Sequence, residues 1–343
     1  MLKTNLAHSS NTYEMTKSSC PMLPVCPLCK DQIELSIFDD VVKNNNKYNV
    51  YNCSSCQIWV THPFPTHEEL ARLYSTGNYR TKTGKRFNPV LEYIIHLLTV
   101  RKRKRIERFR DHGRILDIGC GRGLFLHIMQ EDGWEVAGQE FSETSASYAS
   151  NIYGIDVQTG ALKDCEYDNE SFDVVSINHV LEHLENPDEV ITECYRILKK
   201  GGLLVTAVPN IDSLQAYFGK RKWFQLDLPC HLYHFSSKSL IDLLEKNAFK
   251  VEVARHFKFE YNPFGWLQTL YNATGIRENL LYDLLKSSDL RKKDHDTYRI
   301  MDYLKTFILM PLYLPLSLML SIIEAIIKKG GTIEIYSVKN PSL

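Results

Sequence analysis

The stretch that most constrains the fold is Arg114 to Gly123, which reads Arg-Ile-Leu-Asp-Ile-Gly-Cys-Gly-Arg-Gly. Ile115, Leu116 and Ile118 form the short apolar run of a buried parallel strand, with Asp117 near its end. Gly119, Gly121 and Gly123 follow in a G-x-G-x-G pattern, and Leu124 to Met129 then reads as a helix. A strand that turns into a helix through glycines lets a ligand approach bare backbone, with the helix N-terminus facing it. The dinucleotide fingerprint needs its third glycine one place later, where this chain has Leu124. The spacing therefore leans away from a nicotinamide cofactor.

Trp134 to Glu140 reads as the next strand, ending in an acid 21 residues after Gly119. A carboxylate at that strand end can accept both ribose hydroxyls of a nucleoside bound across the sheet edge. Together these stretches resemble motifs I and II of the class I S-adenosylmethionine (SAM)-dependent methyltransferases, especially the bacterial group with small-molecule or sugar-type acceptors. The resemblance covers about residues 24–256 and 331–339. It implies an α/β fold, a Rossmann-like seven-stranded sheet with the last strand antiparallel. The SAM-binding set it implies is Asp117, Gly119, Cys120, Gly121, Gly123, Glu140, Phe141, Leu162 and Asn178. Asp117 and the glycines would hold the methionine end, and Glu140 the ribose. The place where the family usually sets an acid against adenine holds Ala161, so that contact falls to backbone groups or to Asp164.

Two C-x-x-C pairs, Cys26/Cys29 and Cys53/Cys56, are separated by 23 residues. Paired knuckles at this separation suit tetrahedral Zn²⁺ in a zinc ribbon, with strands expected at Ile33–Phe38 and Tyr48–Asn52. Four thiolates close the site, so the zinc is expected to be structural. Nine cysteines in total, an odd number, fit reduced thiols better than a disulfide framework. Thr66 and Glu69 form a capping box for the helix that leads out of the ribbon. Forty-one basic and 41 acidic residues give a formal net charge of zero, which argues against a nucleic-acid partner. Met1 to Ser19 is polar and lacks the apolar segment of a signal peptide, so the expected location is cytoplasmic.

The expected order is a disordered tail (1–20), the ribbon (21–66), a helical linker or lid (67–112), the SAM-binding core (113–257), a hydrophobic helical insertion (258–330) and a closing strand (331–343). Asn88 to Phe109 predicts an amphipathic helix with an apolar stripe at Val90, Leu91, Ile94, Ile95, Leu97 and Leu98, lidding the cleft. It runs into Arg101-Lys-Arg-Lys-Arg105, read as a solvated face or a phosphate or anionic-lipid contact. Phe307 to Ile323 carries no charge over 17 residues and is interrupted by Pro311 and Pro315. A single membrane crossing would separate the closing strand from its sheet. The run is thus either a peripheral membrane contact, on the inner face of the membrane, or a helical hairpin packed on the core or a partner.

His179-x-x-Glu182-His183 has the form of a metalloprotease motif, but it closes a strand instead of lying in a long helix, so that reading is rejected. The resemblance implies transfer of a methyl group to oxygen or carbon of a small-molecule, sugar or lipid-linked acceptor. Candidate bases are His231 and His234, on the loop after the fifth strand, and then His179. The competing readings are a SAM-fold scaffold without turnover and, less favoured, an RNA methyltransferase.

Overall fold

A computed structural model describes residues 25–33, 35–43, 46–66, 68–69, 87–286 and 300–340. The expected tail and the body of the helix after Thr66 lie outside the described residues. In chain order the strands are β1 (Leu35–Lys43), β2 (Asn46–Asn52), β3 (Trp59–His62), β4 (Arg114–Ile118), β5 (Glu135–Glu140), β6 (Asp156–Thr159), β7 (Phe172–Asn178), β8 (Leu198–Pro209), β9 (Tyr233–His234), β10 (Phe249–Arg255) and β11 (Thr332–Lys339). The main helices are α1 (Pro89–Ile106), α2 (Leu124–Glu131), α3 (Glu143–Tyr153), α4 (Pro187–Ile197), α5 (Ser237–Lys246), α6 (Asn262–Ala273) and α7 (Ile300–Ile326).

Seven strands form one sheet in the order β10-β11-β8-β7-β4-β5-β6. β4 lies parallel between β5 and β7, and β11 runs antiparallel to both its neighbours, β8 and β10. Consecutive residues of the central strands feed opposite faces. Ile115, Val174 and Leu203 enter one apolar cluster, and Leu116, Val175 and Leu204 the other. Burial on both faces explains why these strands read as unbroken apolar runs. Local capping agrees with the sequence: Ser142 Oγ accepts from the Ser145 amide, and Ser236 and Ser239 form a reciprocal box at the start of α5.

The cysteine-bearing segment is not a separate unit. β1, β2 and β3 form an antiparallel sheet whose fourth strand, β9, comes from the α/β core. Cys26, Ile33, Cys53, Ile58 and Val60 share one apolar cluster with Leu232, Tyr233, Phe235 and the face of the large sheet. The expected boundary near residue 66 is therefore crossed by both hydrogen bonds and packing.

Two helices differ from expectation. In α1 the predicted stripe is split: Val90, Ile94 and Leu97 are exposed at 72%, 39% and 47%, Leu91 and Ile95 are half-buried, and Leu98 is buried. The inward face is Leu98, Lys102 and Ile106, spaced four apart, and it carries a charge. The basic run is divided: Arg101 and Lys104 face solvent, whereas Lys102 is buried and Arg105 Nη1 lies 3.3 Å from Glu334. In the insertion, Pro311 and Pro315 do not break the apolar run, and α7 is continuous over 27 residues. The Tyr271 hydroxyl donates to the Thr306 carbonyl in the turn before Pro311. Asp302, Thr306, Ser317, Ser321 and Glu324 face inward, packing on α6, while Phe307, Ile308, Leu312, Met319, Ile322 and Ile326 are exposed.

Candidate active site and cysteine cluster

The glycine loop leaves β4 with positive φ at Gly119 (68°), Gly121 (57°) and Gly123 (79°). A Cβ at Gly119 would stand 2.4 Å from Val180 Cγ2, so the loop requires glycine there for space as well as for angle. The amides of Gly119 and Cys120 donate to the Gln139 carbonyl at 2.8 and 3.1 Å, which ties the loop to β5. Glu140 then reaches back: Oε2 accepts from the Gly121 amide at 2.7 Å and Oε1 from the Ser142 amide at 2.9 Å. The carboxylates of Asp117 and Glu140 thus sit at the C-terminal edges of adjacent parallel strands, where α/β sheets bind ligands.

Beneath the loop the cleft floor is ionic. Asp117 is buried, and its Oδ1 has no hydrogen-bond partner. Lys102 Nζ lies 4.0 Å from that oxygen, donates to Ser176 Oγ at 2.9 Å and stands 3.7 Å over the Phe125 ring. Burial pushes the Asp117 carboxyl up and pulls the Lys102 ammonium down, each only partly offset by the other's charge. Beside them, Lys258 Nζ pairs with Glu334 at 2.9 Å and donates to Asn178 Oδ1 at 2.8 Å. Burial would raise Glu334, but Lys258 and Arg105 hold it at about 2. Asn178 also donates to the Tyr261 hydroxyl at 3.4 Å, and the His179 ring lies tilted by 36° against Tyr261, 4.1 Å between centroids.

Of the other sequence-derived residues, Cys120 and Leu162 are buried and Phe141 is 57% exposed at the rim beyond Glu140. His179 has φ 54°, its Nδ1 is 3.3 Å from Glu182, and its Nε2 is buried without a hydrogen-bond partner. His231 and His234 differ from expectation. Both are buried: His231 Nδ1 contacts the Gln225 carbonyl at 2.9 Å, and His234 Nε2 contacts Thr61 Oγ1 at 3.1 Å. Burial drives both imidazoles down to about 3, so neither takes a proton near neutrality as its unperturbed value would allow; burial pulls His179 down too, but there the Glu182 carboxylate opposes it through a direct contact. Tyr233, between them, is spent on the Glu185 carbonyl at 2.9 Å.

Lys102, Lys258, Tyr261 and Glu334 were not singled out in the sequence. Only Lys102 left a signal, as the polar member of the Leu98–Lys102–Ile106 face. Lys258 and Glu334 lie 76 positions apart and meet only once β11 is seated in the sheet.

In the sheet that β9 joins to the core, Cys26, Cys29, Cys53 and Cys56 are free thiols whose sulfurs lie within 4.8 Å of one another. Cys26 Sγ is 3.8 Å from Cys56 Sγ, and Cys29 Sγ is 3.3 Å from Cys53 Sγ. A tetrahedron with zinc–sulfur bonds of about 2.3 Å has edges of about 3.8 Å, so the donor set fits Zn²⁺. The hydrogen bond from Cys56 pulls the Cys26 thiol down to about 5.

The methyltransferase-domain family matches residues 91–253, which carry α1, the glycine loop and strands β4 to β9. The chain is 28% identical over 139 residues to a "Probable S-adenosylmethionine-dependent methyltransferase" of Mycolicibacterium smegmatis, covering 40% of this chain and 52% of that protein. It is 34% identical over 150 residues to a ubiquinone biosynthesis O-methyltransferase of Mesorhizobium japonicum, covering 41% of this chain and 60% of that protein. These matches thus span little more than half of each relative's length. The fold is like that of the cyclase SpnF, with TM-score 0.51, 16% identity, and coverage of 80% of this chain and 97% of that one. The family match lies on the strands and loops that build the glycine-loop site, so residues 91–253 form a methyltransferase domain, and the chain is similar there to SAM-dependent methyltransferases.

Proposed function

We propose that this chain transfers the SAM methyl group to a small-molecule acceptor, with oxygen as the favoured atom. The observation that carries the reading is the pairing of Asp117 and Glu140 at the ends of adjacent strands around the glycine loop. SAM supplies a sulfonium-bound methyl group to whatever nucleophile is held in line with it. In this reading Glu140 would exchange its two backbone donors for ribose hydroxyls. The unpartnered Asp117 oxygen suits the ligand's ammonium, and Lys102 its carboxylate. Asn178, Tyr261 and His179 border the same strand ends, and His179 Nε2 is the nitrogen we assign to the acceptor. Oxygen as the methylated atom draws on the relative named as a ubiquinone biosynthesis O-methyltransferase. Sugar and lipid-linked hydroxyls remain in the acceptor class. The test is calorimetry with SAM, followed by transfer of labelled methyl from SAM to hydroxylated aromatics, nucleotide sugars and lipid-linked sugars. SAM binding with label in one class is expected, and a protein that does not bind SAM would overturn the reading.

The four cysteines would hold a structural Zn²⁺. For α7 we propose a bilayer surface as the occupant of its exposed face. The exposed apolar side chains are flanked by exposed Lys305, Lys328 and Lys329, the charge pattern that suits anionic headgroups. The opposite face carries the buried Glu324, bonded to Trp266 Nε1 at 2.7 Å, so lipid can cover one side only. Flotation with vesicles of anionic and of zwitterionic lipid tests this. Binding to the anionic vesicles that is lost in Ile308→Ser/Ile322→Ser supports it, whereas a dimer that does not float assigns the face to a second copy.

A further inference from the structure

The rejected metalloprotease motif leaves an unexplained cluster on the wall between the cleft and the cysteine-bearing sheet. Glu182 is 1% exposed, and neither of its carboxylate oxygens has a hydrogen-bond partner. His179 Nδ1 stands 3.3 Å from Oε1. A buried carboxylate in that state is costly unless a cation or donors meet it. Two further histidines converge on it: Glu182, His183 and His231 each offer a ligand atom within 4.8 Å of the others.

The backbone sets the chemistry of both rings. His183 Nδ1 contacts the Cys230 carbonyl at 2.8 Å, and His231 Nδ1 contacts the Gln225 carbonyl at 2.9 Å. A carbonyl only accepts, so each Nδ1 carries the proton, and in the neutral ring Nε2 holds the lone pair. Histidines that bind metals are oriented this way, by an outer hydrogen bond from the second nitrogen. The two rings stand 4.6 Å apart between centroids at 70°. The Leu232 amide donates to the Glu182 carbonyl at 2.9 Å, which locks the two segments together.

We propose that Glu182, His183 and His231 form a second metal site, for a divalent transition cation of the Zn²⁺ class. Two imidazoles and one carboxylate suit Zn²⁺, Fe²⁺ or Mn²⁺ and disfavour the all-oxygen cations Mg²⁺ and Ca²⁺. Ligand atoms about 2.0–2.2 Å from zinc stand about 3.3–3.6 Å apart, which small side-chain rotations reach from the present spacing. Three protein ligands leave a coordination position for water or a substrate oxygen. The ion would also join the turn after β7 to the loop that delivers β9.

Protein purified without chelator is dialysed against Zn²⁺ and its metal content measured, and a second sample is loaded with Co²⁺ and its visible spectrum recorded. Two zinc ions per chain are expected in the wild type, and one in Glu182→Gln and in His231→Gln. A ligand swap should weaken the second ion by more than the roughly 10–100-fold typical of outer-shell changes. In the cobalt sample, thiolate charge-transfer bands report the cysteines, and a band set without sulfur character reports the second site. The two sites are therefore scored separately, and loss of the cysteine bands alone does not touch this proposal. Wild-type protein with a single zinc and only thiolate–cobalt bands would overturn it, whatever the variants' folding.

Discussion

Val60 and Tyr233 are register partners across β3 and β9, the pair of strands that joins the cysteine-bearing sheet to the α/β core. Tyr233 and Val60 also lie in the apolar cluster that holds Cys26 and Cys53. Removing zinc is therefore expected to destabilise the whole chain in one transition. A loss of only about 3 kcal/mol, well below the roughly 10–16 kcal/mol of isolated zinc modules, should lower Tm of a 343-residue unit by about 4 °C. Calorimetric melts with and without chelator check this; a separate early transition with an unmoved main one would show the ribbon to be independent.

Glu140→Ala should weaken SAM binding by about 2–4 kcal/mol, two charge-assisted hydrogen bonds at ordinary strength. Titration calorimetry reads this directly. Because Glu140 also braces the Gly121 and Ser142 amides, the variant's melt belongs beside the titration. Unchanged affinity would remove Glu140 from the ribose site.

Lys102→Met keeps an apolar stem over Phe125 and deletes the ammonium beside Asp117. We expect SAM affinity to fall by about 1.5–3 kcal/mol, the strength of one charged hydrogen bond. Equal affinity in wild type and variant would mean that Lys102 serves only the fold.

The histidines should separate by phenotype. His179→Ala is expected to lose about 10²- to 10⁴-fold in turnover with little change in SAM affinity. His234→Ala breaks the buried contact with Thr61 and should chiefly lower Tm. Steady-state rates and melts on both variants decide the matter, and a turnover loss confined to His234→Ala would reverse the assignment.

Glu324 sets a pH dependence. Burial raises its carboxyl from 4.5 to about 7, despite hydrogen bonds from Gln215, Asn262, Trp266 and the Gly331 amide that favour the charged form. The folded state then binds the proton more tightly than the unfolded state. The group's contribution is complete below pH 4.5 and is lost as pH rises through 7, on the order of 3 kcal/mol. Denaturant melts from pH 5 to 8 should show that decline and lose it in Glu324→Gln. A flat profile in the wild type would refute the shift.

The sheet and the loop could be read in the sequence because each rests on local pattern: apolar runs for β4 and β7, glycines for the turn, an acid after β5. The ionic floor could not. Lys102, Lys258 and Glu334 come from three distant segments, and their charges gain meaning only when folding removes water from all three. α1 misled for a related reason: Val90, Ile94 and Leu97 lie on the face that the core does not use, while the charged Lys102 lies on the face that it does. His231 and His234 were placed on the right loop, but β9 pairs with β3, which turns that loop into an interior wall.

The position of β11 between β8 and β10 governs how such a chain can be made. Synthesis runs from the amino end, so β8 and β10 leave the ribosome well before the strand that separates them. Their hydrogen-bonding edges must stay unpaired while the whole insertion, apolar α7 included, is threaded out. During that interval β8 and β10 offer open edges to each other and to neighbouring chains. The nascent protein is thus most exposed to mispairing just before Thr332–Lys339 arrives, and a chaperone or an early landing of α7 on lipid would act in that window.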